Sequence, residues 1–314
     1  MSLPLFTPPR SLPPGFEPLP DWRWQMVTAP DGARLRVGHH PLPEARARVL
    51  VLPGFSEFAE KYWEIARWLI SLQLEPWTLD WRGQGGSTRS PFNPEALQIT
   101  GFERHIADLR HVLAETVPST LPRGLLAHSM GGHLALRFVC EHPGVVARAV
   151  LSAPMLGVPT GAFPLPVARG IAEAHVLAGL GARFVWGFGP WRDRPARREA
   201  TSRDETLRRV HTEWFAANPV LRIGGPAWSW LASALASCAV LARPAMLRQA
   251  QVPLLIGSAG DERFVSPAAI THACAYLGTA QHRHYPEARH ELFLELPAVR
   301  EAWRQEVAGF LAAL

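Results

Sequence analysis

The chain has 314 residues, enough to bury a large core and to form one α/β domain with an inserted module, or two domains. With 47% hydrophobic and 19% charged residues it reads as globular rather than disordered, and a net charge of +5 is too diffuse to argue for a nucleic-acid partner. Lys61 is the only lysine, so the basic excess is arginine. Cys140, Cys238 and Cys274 are odd in number and form no CxxC pair, which reads as buried thiols rather than a disulfide framework or a metal site.

The first twenty residues carry seven prolines from Pro4 to Pro20 and read as an extended arm without regular structure. No basic stretch followed by an apolar core marks a secretory signal. Trp24–Thr28 and Arg34–Val37 flank the turn Pro30-Asp31-Gly32 and predict a hairpin. Arg48–Leu52, an apolar run closed by Pro53-Gly54, predicts a buried parallel strand. Tyr62–Leu72 has helical apolar spacing and Pro76–Asp80 is strand-like. A second amphipathic helix carries Ile106, Leu109, Val112 and Leu113, and strands follow before Ser129, at Ala149–Ser152 and at Pro253–Ile256. Strands alternating with helices predict a parallel, doubly wound sheet.

From Met155 to Met246 the rhythm changes. This interval holds Trp186, Trp191, Trp214, Trp228 and Trp230 and an arginine cluster, Arg192, Arg194, Arg197 and Arg198. It reads as a helical cap lying over the carboxyl ends of the strands, where an open α/β sheet places its ligand. The division expected is an arm at 1–20, a core at 21–154 and 247–314, and a cap at 155–246. The longest weakly polar run, Trp228 to Ala242, is shorter than a bilayer span, so the expectation is a soluble, cytoplasmic protein able to touch a membrane from one side.

The stretch Leu125-Leu126-Ala127-His128-Ser129-Met130-Gly131-Gly132 has the form of a nucleophile elbow. An apolar strand stops at a serine among small residues, and a helix starts at once, its positive end aimed where negative charge would develop. A serine nucleophile needs a base and an orienting carboxylate from elsewhere in the chain. His290, in the loop after the strand-like Arg283–Tyr285, is the candidate base. Asp261 and Glu262 both follow the strand that opens at Pro253. Glu262 lies nine positions after that proline and three before Val265, which favours it, with Asp261 as the alternate acid. The amide of Met130 and that of Phe55, in the loop Pro53-Gly54-Phe55-Ser56-Glu57, are the candidate oxyanion donors. His39, His40, His282 and His284 lack a third ligand at metal spacing, and His128 reads as packing, so neither a metal nor another cofactor is expected. Asp80-Trp81-Arg82-Gly83-Gln84-Gly85 lacks the glycine and Lys-Ser/Thr spacing of a phosphate loop and reads as a tight loop with an Asp80–Arg82 ion pair.

These pieces together resemble the serine hydrolases of the α/β-hydrolase fold, and within them the bacterial lysophospholipase and monoacylglycerol lipase family. Leu52–Phe58 with Lys61-Tyr62, Asp80–Gly85, His128–Gly132, Glu262–Val265 and Ala288–Glu291 carry the likeness, and Asn218–Pro226 looks like the lysophospholipase branch. Pro53 stands where many relatives have histidine and Ala127 where many have glycine. The resemblance implies a lipid ester of one acyl chain as substrate. Trp186, Trp214 and Trp228 would then form an apolar slot, with cap arginines near a phosphate head group. A peptidase, amidase or transacylase on the same fold, with Glu199, Asp204, Glu205 and Glu213 holding an amine, is the alternative. A small-molecule receptor without turnover is a third. Nothing in the sequence speaks to oligomeric state.

Overall fold

The computed structural model describes residues 6–193 and 201–314. Strands β1 (Arg23–Thr28) and β2 (Arg34–His39) form the hairpin. The alternation that follows is β3 (Ala47–Leu52), α1 (Trp63–Ser71), β4 (Leu74–Leu79), α2 (Glu103–Glu115), β5 (Arg123–His128), α3 (Met130–Glu141) and β6 (Arg148–Ser152). Four helices come next: α4 (Leu165–Leu177), α5 (Glu205–Ala217), α6 (Trp228–Leu241) and the short α7 (Pro244–Leu247). The chain then closes with β7 (Leu254–Ala259), α8 (Pro267–Cys274), β8 (Ala280–Tyr285) and α9 (Pro297–Leu311). The sheet order is β1-β2-β4-β3-β5-β6-β7-β8, antiparallel where β2 meets its neighbours and parallel from β4 to β8.

The two-residue period of a strand explains why the central strands read as unbroken apolar runs. Leu50 and Leu52 of β3 enter one core with Leu125, Leu151 and Ile256, against Ile106 and Leu109 of α2 and Leu134 and Phe138 of α3. Val49 and Val51 enter the other core with Leu126, Val150 and Leu255, against Ile65 and Leu69 of α1 and Trp303 and Val307 of α9. Each face therefore needs its own cover, and both must be apolar.

Strand β8, Ala-Gln-His-Arg-His-Tyr, begins three residues before the strand-like Arg283–Tyr285. It is the edge strand of the sheet and is only half-buried, so an unbroken apolar run is not required. The arm from residue 6 has no helix or strand up to Arg23, as its prolines dictate, yet it is strapped down. Phe16 and Leu19 are buried with Phe58, Trp63 and Trp214. The Arg67 guanidinium donates to the carbonyls of Gly15, Glu17 and Pro18, and Asn218 exchanges two 2.8 Å hydrogen bonds with the backbone of Thr7.

The helices inserted between β6 and β7 are fixed to the core at α6. His133 Nε2 of α3 lies 2.6 Å from Ser237 Oγ of α6, and Arg137 donates to the same oxygen at 2.8 Å. Asp204 caps α5 by accepting from the amides of Thr206 and Leu207. Among the described residues no helix is long and apolar enough to cross a membrane.

Candidate active site

Ser129 closes β5 and opens α3 with φ 52° and ψ −117°, a conformation that an L residue adopts only at a cost on the order of 1–3 kcal/mol. The turn is possible because its neighbours lack side chains. A Cβ on Gly131 would lie 2.3 Å from the carbonyl oxygen of Leu52, and one on Gly132 would lie 2.9 Å from Pro154 Cβ. The serine is thereby lifted to the carboxyl end of the sheet, between β3 and β6.

His290 follows β8 and is nearly buried. Its Nδ1 lies 2.8 Å from Glu262 Oε2, while Glu262 Oε1 accepts from the amides of Arg263, Phe264 and Val265. Burial works to raise the Glu262 carboxyl, but the hydrogen bond and charge of His290 and the amides outweigh it, so the group stays below the usual range and ionised. Asp261 points away to the guanidiniums of Arg203, Arg263 and Arg289 at 3.1–3.3 Å, and makes no contact with His290. Of the two adjacent acids, Glu262 is the one the fold delivers to the imidazole. The His290 ring lies against that of His128, the residue before Ser129, with centroids 4.7 Å apart. Among the described residues no hydrogen bond joins Ser129 Oγ to His290, and the Nε2 edge of the ring has no partner. His128 is a packing residue: its Nδ1 faces the Ser152 carbonyl oxygen at 3.2 Å, and burial pushes its pKa down to about 4.

The loop after β3 passes close to the serine. A Cβ on Gly54 would lie 2.9 Å from Glu57 Oε2 and 3.1 Å from Ser129 Cβ, so a side chain there would crowd both. The amides of Phe55 and Met130 donate to no protein acceptor among the described residues. The loop 80–87, which carries no obvious chemistry in its sequence, is its brace. Gln84 Nε2 donates to the carbonyls of Gly54 and Glu57 at 2.7 and 2.8 Å, its Oε1 accepts from the Ser56 amide, and Trp81 Nε1 donates to the Pro53 carbonyl. The expected Asp80–Arg82 pair does not form. Asp80 is fully buried with Arg36, accepting also from the amides of Ala59 and Gly86, whereas Arg82 points outward to Asp31 and Asp108.

The tryptophans separate into different environments. Trp214 is fully buried against Phe58 and Trp63 and is a core residue, so it lines no open slot. Trp228 stacks on His175, and Trp186, 61% exposed, packs edge-on to both. Trp230, which the sequence pattern does not single out, stands directly over the site. Its Nε1 contacts Met130 Sδ at 3.4 Å and its ring lies 4.8 Å from that of Phe55. The spacing of two from Trp228 puts the two rings on different sides of α6, a signal that was available. Among the acids expected to hold an amine, Asp204 is spent as a helix cap, and Glu205 and Glu213 pair with Arg208 and Arg209. Arg194, Arg197, Arg198 and Glu199 lie outside the described residues; Arg192 is exposed.

A mostly parallel sheet with a strained serine at the β5–α3 turn, and with a histidine–carboxylate pair in the loops after β7 and β8, defines an α/β-hydrolase. Residues 43–297 match the hydrolase family described as Serine aminopeptidase, S33, and the chain belongs to that family. It is a carboxylic-ester hydrolase by its relatives. It is 33% identical over 244 residues to lysophospholipase L2 of Escherichia coli K12, covering 74% of this chain and 69% of that one. It is 34% identical over 119 residues to the human monoglyceride lipase, 37% of each chain. A solved structure of a soluble variant of Saccharomyces cerevisiae monoglyceride lipase, in complex with a substrate analog, shares the fold with a TM-score of 0.73 at 18% identity, covering 94% of this chain and 96% of the other.

Proposed function

We propose that the chain hydrolyses lysophospholipids or monoacylglycerols through Ser129, His290 and Glu262. The observation that carries this reading is the 2.8 Å His290–Glu262 pair, whose imidazole lies against His128, the residue before the strained serine. Ser129 Oγ attacks the ester carbonyl while His290 Nε2 takes its proton, and Glu262 holds the imidazole through Nδ1–H and stabilises the imidazolium. The Ser129–His290 contact closes when substrate is bound, a common tightening in enzymes of this kind. The amides of Phe55 and Met130 hold the oxyanion, each donor typically worth on the order of 3 kcal/mol in the transition state. His290 then returns the proton to the leaving alcohol, and water repeats the sequence on the acyl-serine.

The helices at 155–246 act as the cap. Trp230, Trp228 and Trp186 supply its apolar wall, and Phe163, Leu165, Leu177 and Phe188 are exposed large apolar side chains for peripheral contact with a lipid surface. Amide hydrolysis with capture of a substrate amine is disfavoured, because Asp204 caps a helix and Glu205 and Glu213 are already paired with arginines.

Ser129→Ala is expected to lower kcat on a short-chain nitrophenyl ester by at least roughly a thousandfold while the protein stays folded. Turnover of lysolipid by that variant at the wild-type rate would remove the assignment.

A further inference from the structure

The two parts of the reaction centre that must face each other, the loop carrying Phe55 and the loop carrying His290, lie far apart in sequence, and one buried side chain ties them. Lys61 Nζ donates to Glu57 Oε1 and to Glu291 Oε1, both at 2.6 Å, and all three side chains are at most 8% exposed. Glu57 Oε2 in turn accepts from the Gly54 amide and the Tyr62 hydroxyl, so it grips the residue before Phe55. Glu291 directly follows His290, and its other oxygen has no partner among the described residues, so Lys61 is its cation there.

The ionisation of this bridge is settled by its own charges. Burial acts to lower the Lys61 ammonium, but Glu291 and Glu57 more than offset it and raise it; burial acts to raise both carboxyls, and Lys61 leads the groups that hold them down. His128, with Nε2 4.0 Å from Glu57, and His211 of α5 are both pushed by burial to about 4 and stay neutral. Three charges are thus buried together between the Phe55 loop and the His290 loop. Desolvating such a set is expensive, and apolar residues of similar volume often stabilise a fold as well or better. Stability alone is a poor reason for the arrangement, whereas a fixed distance is a good one.

We propose that Lys61 is a positioning residue: the Glu57–Lys61–Glu291 bridge sets the spacing between the Phe55 amide and the His290 imidazole. The proposal rests on the ester-hydrolase reading above. A shift of about 1 Å at a reacting centre can cost on the order of a hundredfold in rate. Here the strain falls on the transition state, where oxyanion and imidazolium must be held at once, and not on acyl-chain binding.

The test is the pair Lys61→Met/Glu291→Gln, which cuts the tie, keeps the net charge of the bridge and leaves Glu57 on Gly54 and Tyr62. With sites counted by fluorophosphonate titration, kcat per active site is expected to fall about 30-fold with KM within about twofold of wild type. Affinity for an alkylboronic acid, which forms a tetrahedral adduct on the serine, should fall by the same factor. A merely structural lysine would lower the titrated fraction or the melting temperature and leave kcat per site unchanged. Wild-type kcat and boronate affinity per site, or a loss confined to KM, would overturn the proposal. If the double variant does not fold, Glu291→Gln alone, which retains the Lys61–Glu57 pair, must show a smaller loss of the same kind; unchanged kcat there also overturns it. A wild-type protein that turns over no ester fails differently, since Ser129→Ala would then match it, and removes the underlying reading.

Discussion

Around Gly54 and His290 the molecule is polar and closed: Glu57, Lys61, Gln84, Glu262 and Glu291 each find fixed partners at 2.6–2.9 Å. In the inserted helices the materials are reversed. Leu177 is 88% exposed and Trp186 61%, α4 rests on α6 through the ring stack of His175 and Trp228, and α6 is joined to α3 by Ser237 on His133 and Arg137 and by Trp230 on Met130. A reaction centre must hold its geometry to a fraction of an ångström, which short charged hydrogen bonds do well. A surface that meets acyl chains gains from apolar area and has little use for fixed partners. On the function proposed above, chemistry and substrate choice are carried by different regions of one chain.

The sharpest way to break that division is at the acid. Glu262→Ala should lower kcat on the order of a thousandfold, because the imidazole loses both its orientation and its counter-charge. Asp261→Asn should stay within about threefold, since that carboxylate serves three surface arginines. The reverse ranking in steady-state kinetics would show that position in the loop does not choose the acid.

A second expectation concerns how dry the polar region is. Burial depresses His105 and His133 to about 3 and His128 and His211 to about 4, so all four are neutral in the fold. The unfolded chain takes up these protons near pH 6.5, so between about pH 6.5 and 4 it binds more protons than the native state. Stability therefore falls on acidification through this window, by up to about 2 kcal/mol per histidine at pH 5. Urea midpoints at pH 7.5 and pH 5 measure it. His105→Leu should flatten the dependence, because that ring is fully buried and burial is the largest influence on it. A midpoint independent of pH would mean that these rings are hydrated.

The smallest effect belongs to the cap. Leu177→Glu places a charge on its most exposed leucine, and should lower the ratio of activity on lysolipid vesicles to activity on a dissolved short-chain ester about fivefold. An unchanged ratio would remove lipid-surface contact from the role of α4.

Much of this protein could be read along the chain. The parallel sheet was legible because strands buried on both faces leave unbroken apolar runs such as Val49–Leu52, and the elbow because only small residues fit where Gly131 meets Leu52. Spacing from Pro253 pointed to Glu262 as the acid that meets His290. The remainder depended on which groups the fold brings together. Residues close in character or in sequence took different partners: Trp214 packs on Phe58 and Trp63 while Trp230 packs on Met130 and Phe55, and Asp80 pairs with Arg36 while Arg82 pairs with Asp31 and Asp108. No local pattern marks Gln84 as the support of Gly54, or Lys61 as the link to Glu291 across 230 positions. Periodicity reports which face of an element is buried, because burial acts on every residue of that face. The partner of a buried charge is decided by folding alone, since it is the one group left within reach after water is excluded.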